Sequence, residues 1–277
     1  MNNYTKLLRY MNALSIDIAI GAVACSKLLY IILDINSIWH YDLVLGLSVW
    51  LIYTADHLVD AKLIKKEAVS FRHRLHQMHF KIISLFALLA ILINAAFTLI
   101  YFPPEIIIAG LSLMIFVIVH QILNHFSKDY FFLFGKEIRV ALGYSLGLAL
   151  SPFITAKYIS PDAYLALSIL FLLALINLLF FSTIEREADL EDHFTSISLH
   201  WRPDKINLSI KIASLICLFL CLYFITLSEH TLVGLLLLTM LFVLFLSYRK
   251  SQVLISTDLY RSLGDGIFLI PIVLFWL

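Results

Sequence analysis

"KIISLFALLAILINAAFTLIYFPPEIIIAGLSLMIFVIVHQIL", residues 81–123, decides the fold class. Two apolar runs of about 20 residues flank the break "FPPE" at 102–105, and each can cross a hydrocarbon layer about 30 Å thick. Runs of the same kind recur along the whole chain, which a soluble helical core does not need. The sequence therefore reads as an all-α, polytopic membrane protein. Composition agrees: of 277 residues 61% are hydrophobic and 14% charged, and the mean hydropathy is +0.93, far outside the norm for soluble domains.

Apolar runs between charged or Pro/Gly punctuation predict nine transmembrane helices at 12–34, 41–59, 80–101, 104–125, 138–156, 163–184, 208–227, 230–248 and 258–277. Short connections alternate with longer, charged ones. If the longer ones are cytoplasmic, together with the N-terminus, that side holds 18 Lys and Arg against Lys157 alone on the other, with Lys27 inside the first span. Positive residues stay cytoplasmic, so the N-terminus is expected inside and the C-terminus on the opposite side. Residues 1–277 show no low-complexity tract or soluble region, so a single transmembrane domain is expected. "GAVAC", ending at Cys25, imitates a lipobox, but Asp17 interrupts the run before it and apolar character continues to Ile35, so a retained span is expected. Cys25, Cys217 and Cys221 make no CxxC pair and read as packing residues. A net charge of +1 with no basic arm gives no sign of a nucleic-acid partner.

"YTADHLVDAK", residues 53–62, places Asp56 and Asp60 at the end of the second run, and "EREAD" places Glu185 and Asp189 at the end of the sixth. Helical positions i and i+4 lie about 40° apart in projection, so each pair is a small carboxylate cluster. Like charges one turn apart at a membrane boundary are unfavourable unless a cation is held there. Mg2+ suits such a site, because it takes hard oxygen ligands and commonly bridges carboxylates to phosphates. Asp56 to Glu185 and Asp60 to Asp189 are both separated by 129 residues, which hints at two similar halves facing one cavity.

Nine helices, acidic motifs after the second and sixth, and basic loops between them resemble the UbiA-type intramembrane prenyltransferases. Their motifs read NDxxDxxxD and DxxxD. Here the first stands as Tyr53, Asp56 and Asp60, with Ile52 for the asparagine and Tyr53 for the first aspartate; the second stands as Glu185 and Asp189, with Ser196 seven residues on. The resemblance implies helices around a central cavity open toward the cytoplasm, Mg2+ as cofactor held by Asp56, Asp60, Glu185 and Asp189, and a prenyl diphosphate transferred to a lipophilic acceptor in the bilayer. Related members cyclise the prenyl chain instead. Arg72, Arg74, Lys136, Arg139 and Arg186 are the cations that such a reading offers to the diphosphate, although basic residues at cytoplasmic helix ends follow from orientation alone.

Tyr53, Phe180 and Phe181 lie within two turns of the acidic motifs, where ring faces can stabilise a cation. Asp265, flanked by glycines in the last run, is a further candidate, with Arg261 one turn earlier as its expected partner; the alternative is a later helix start with Asp265 as N-cap. His73, His76 and His79 offer a different class, a histidine-ligated di-iron oxygenase. A transporter or other non-enzymatic protein keeping the fold with decayed motifs is a third.

Overall fold

Serine and proline set where several helices begin. Ser160 accepts a hydrogen bond from the Ala163 amide (3.3 Å) ahead of Pro161, whose fixed φ and missing N–H suit a first helical turn. Ser70 caps the next loop helix in the same way, accepting from His73 N at 3.2 Å. The computed structural model describes residues 3–126, 135–192, 196–249 and 259–276, and no strand occurs among them. The order is α1 (Asn3–Ala13), α2 (Ile16–Ile32), α3 (Trp39–Leu63), α4 (Phe71–Met78), α5 (Phe80–Tyr101), α6 (Pro104–Phe126), α7 (Lys136–Thr155), α8 (Pro161–Ile184), α9 (Arg186–Glu191), α10 (Ile197–His200), α11 (Pro203–Leu227), α12 (Thr231–Arg249), α13 (Tyr260–Gly266) and a 3-10 helix (Ile267–Trp276).

Seven of these helices, α3, α5, α6, α7, α8, α11 and α12, are long and apolar enough to cross a membrane, and α1 with α2 makes an eighth if the bent pair is one span. The chain is thus a multi-pass membrane protein by length and composition. The helices predicted at 80–101 and 163–184 end where the sequence places their ends. The helices predicted at 41–59 and 208–227 are longer, at Trp39–Leu63 and Pro203–Leu227, and two predicted elements are broken. The run at 12–34 breaks at Ser15, where φ is 57°, and α1 meets α2 at 77°. Asn12, Ser15 and Asp17 are short polar residues that compete for local backbone groups, and here all three side chains are drawn into buried contacts that a straight helix would not give them. The run at 258–277 divides into α13 and the 3-10 helix, and its two expected end residues lie outside the described segments.

α2 packs along the 3-10 helix, α3 and α7, while α8 packs on α7, α11 and α12. These two helices hold much of the core, including Leu28, Leu29, Ile169, Leu170 and Leu173, all fully buried. Gly21 permits a close approach of α2 to the 3-10 helix: a Cβ there would stand 2.8 Å from that of Phe268. Cys25, Cys217 and Cys221 are buried and unbridged, consistent with packing roles.

Candidate functional site

α3 runs unbroken to Leu63, so Asp56 and Asp60 lie inside a helix rather than at its end. The loop that follows folds back on them. Gln77 holds the turn: its amide nitrogen donates to the carbonyls of Ala61, Ile64 and Lys66, and its oxygen accepts from Ala68 N at 3.0 Å. This lays α4 against α3, puts Arg72 and His73 on the wall of the same cavity as the acidic pair and buries His76 beside His57, whereas His79 is exposed beyond the end of α4. His73 Nε2 stands 3.6 Å from Asp60 Oδ2, and His57 Nδ1 stands 3.9 Å from Asp56 Oδ2. The His57 ring lies 5.9 Å from that of His73 and 5.2 Å from that of His76. Burial pushes His73 down to about 2, with the Arg72 and Arg261 charges adding to it, so its imidazole is neutral. His76 is lowered by the same burial and by Arg72, against a hydrogen bond from its Nδ1 to the Arg72 carbonyl (2.9 Å).

The second pair is built differently. α8 stops at Ile184, and Glu185 stands at the junction with α9, which carries Asp189. Arg261 forms a forked pair with Glu185, Nε donating to Oε1 and a terminal nitrogen to Oε2, and the Tyr260 hydroxyl donates to Oε1 at 2.7 Å. Burial opposes the Glu185 charge, but Arg261 and Arg72 outweigh it and hold the carboxyl below its ordinary value. Asp189 is shifted the other way, raised by burial and by the neighbouring Glu185 charge, against a hydrogen bond with Ser196 and the pull of Lys136.

A cavity of about 1080 Å3 has both pairs in its wall. Tyr53, Asp56, Asp60, Arg72, Lys136, Glu185, Asp189, Arg261 and Asp265 line it, as do Tyr144, Phe181 and Phe268. The other candidates are elsewhere. Arg139 donates from Nε to His120 Nδ1 at 3.1 Å, Arg74 pairs with exposed Glu67 at 3.3 Å and Arg186 is exposed, whereas Ser196 stays beside Asp189, behind the cavity wall, its hydroxyl 2.9 Å from that of Ser198. Phe180 packs against Tyr248 in the core, while Phe181 carries the Arg261 guanidinium 4.7 Å from its ring centroid. The expected Asp265–Arg261 partnership is not formed as the dominant pair. Asp265 lies within α13 and instead accepts from Asn12 (2.8 Å) and Asn177 (3.0 Å), and Asn12 reaches Asp17 as well (2.8 Å). Arg261 goes to Glu185 because that carboxylate presents both oxygens to the guanidinium fork.

Magnesium, which the resemblance implies, finds hard oxygen donors here in Asp56, Asp60 and Asp189 on the cavity wall. Glu185 is a poorer donor, because Arg261 already engages both of its oxygens. Sequence reasoning passed over His57, although it sits between the two aspartates, and over Asn177, Tyr144 and Glu137. The signal was available: polar side chains inside apolar runs are expensive and tend to face a protein interior or a cavity. No family model, curated protein or solved structure matches the chain.

Proposed function

We propose that this protein is a membrane enzyme acting on a prenyl diphosphate, with transfer to a lipophilic acceptor as the outcome the resemblance favours. The observation that carries the reading is the single cavity in which two carboxylate pairs, five cationic side chains (Lys65, Lys66, Arg72, Lys136 and Arg261) and several aromatic rings converge. In this reading Arg72 and Lys136 neutralise the diphosphate, Arg72 through a fork and Lys136 as a point charge. Asp56, Asp60 and Asp189 hold Mg2+, which when bound stabilises charge on the phosphate oxygens. Tyr53, Tyr144, Phe181 and Phe268 line the path of the prenyl chain and exclude water from the allylic carbon, where their faces favour positive charge. The chain crosses nine times, the bent α1–α2 pair and the α13–3-10 segment completing the seven long helices, with the N-terminus and the cavity mouth on the cytoplasmic side.

A second reading has one observation in its favour. The Glu185–Arg261 pair occupies half of the second motif, as in a protein that keeps the fold without the chemistry. Incubating purified protein with prenyl diphosphates of several lengths, with and without Mg2+, separates the two: Mg2+-dependent pyrophosphate release is expected, and its absence at every length favours the non-enzymatic reading.

A further inference from the structure

His57, Asp60 and His73 are brought together by two consecutive helices, α3 and α4, which the loop between them folds against each other. Their ligand atoms lie within 4.8 Å of one another, and all three residues line the cavity. His73 Nε2 and Asp60 Oδ2 are 3.6 Å apart. Ligands at about 2.1 Å from one ion in a tetrahedral arrangement stand about 3.4 Å apart, so small side-chain rotations bring the group into range.

The supports around the group are also in place. His57 Nε2 lies 3.3 Å from Ser15 Oγ, which fixes the ring from behind in the way second partners orient metal-binding imidazoles. Its other nitrogen, Nδ1, is buried toward the acidic pair and makes no hydrogen bond among the described residues. His76 Nε2 is likewise buried without a hydrogen bond there, while Nδ1 of that ring is held by the Arg72 carbonyl. A buried imidazole nitrogen such as His57 Nδ1, beside a carboxylate and without a hydrogen bond among the described residues, is costly unless something completes it. Arg72 and Lys136 reach the same basin, and the charges of Asp56 and Asp60 offset theirs.

We propose that His57, Asp60 and His73 form a binding site for a divalent transition metal ion of the zinc, manganese or iron class, one that Mg2+ does not fill. Imidazole donors select these ions over magnesium, which prefers oxygen throughout. Three protein ligands would leave at least one coordination position open to a further ligand, and all three residues line the cavity. Asp56, 3.9 Å from His57 Nδ1, is placed to hydrogen-bond a water in that position. The site shares Asp60 with the Mg2+ set of the prenyl diphosphate reading, but it concerns the resting protein and needs no substrate.

The test is Co2+ titration of the untagged, detergent-purified chain without substrate, followed by visible absorption and by calorimetry. One Co2+ per chain is expected, with absorption bands of a low-coordinate, nitrogen-containing site, and millimolar Mg2+ should leave it bound. Asp60→Asn and His73→Gln should each weaken Co2+ at least about tenfold, and exposed His79→Gln should not change it. Asp60→Asn preserves side-chain size, so it serves where His73→Gln fails to fold, a failure read from the elution profile. No bound Co2+, full displacement by Mg2+, or unchanged affinity in Asp60→Asn overturns the site. Mg2+-supported pyrophosphate release by a chain that binds no Co2+ removes this proposal alone, whereas Co2+ binding with no release at any prenyl length removes the enzymatic reading and leaves the metal site standing.

Discussion

The two acidic pairs share one spacing and one cavity, yet they are different objects. Asp56 and Asp60 belong to an unbroken helix and face imidazoles. Glu185 stands at a helix junction, clasped by a guanidinium and a phenol, and only Asp189 of that pair is left to the cavity without such a clasp. An i, i+4 spacing sets which way two carboxylates point; what they can do is set by the partners that tertiary packing brings. The first pair is equipped to hold a cation, and the second already holds one, in the form of Arg261.

Breaking the clasp should do the greatest damage. Arg261→Gln leaves the Glu185 carboxylate, its side chain 15% exposed, with Arg72 as the remaining counterion, a change that costs up to about 3 kcal/mol, and thermal unfolding in detergent should record it as a clear fall in Tm. Adding Glu185→Gln to that variant should recover part of the loss. If both variants unfold as the wild type does, the clasp contributes nothing and the contrast between the pairs fails. Next in size, Asp60→Asn should lower pyrophosphate release on the order of 100-fold with Tm little changed, whereas Glu185→Gln should cost much less activity, since its charge is already spent on Arg261. Equal losses would make the pairs equivalent after all.

Acid should separate the pairs as well. The unfolded Glu185 carboxyl takes up a proton near its ordinary value of 4.5, while the native one, held lower, does not. The unfolded state therefore binds more protons on acidification, and stability falls as pH drops from about 5 toward 3. Asp189 is raised and acts in the opposite sense, easing protonation of the native state. Tm measured over this range should decline less steeply in Glu185→Gln; an identical slope removes Glu185 as the source. The smallest effect is expected at Tyr53. Its phenol is a poor magnesium ligand, and Tyr53→Asp should tighten Mg2+ binding a few-fold in calorimetry. Unchanged Mg2+ affinity would place Tyr53 outside the ligand shell.

Long helices were legible in the sequence because lipid and protein core ask for the same apolar residues. For the same reason their depth in the bundle was not. α5 and α8 are comparably greasy, yet 11% of the apolar window of α5 is buried in protein against 61% of that of α8. Asp56, Asp60 and Asp189 were legible as cavity residues because charge in an apolar chain is conspicuous. Two partners were hidden. α4 lies in a charged stretch with no apolar run to mark it, and its capping serine is an ordinary loop residue by composition. The choice of Arg261 between Glu185 and Asp265 turned on three-dimensional approach, since Asp265 is nearer in sequence and Glu185 nearer in space.

The tight coil at the C-terminus has its own consequence. Its ten residues rise about 2 Å each and the seven of α13 about 1.5 Å each, so the 17 together reach about 30 Å, some 5 Å further than one uniform α-helix of that length. Three residues per turn also stacks side chains into straight edges instead of a spiral. Phe268, Pro271 and Leu274 form one such edge, all three buried, and Gly21 lets α2 lie close against it. A straight keel has no tolerance for slippage: inserting one residue ahead of Phe268 would turn the edge by about 120° and present a different face to α2 along its whole length.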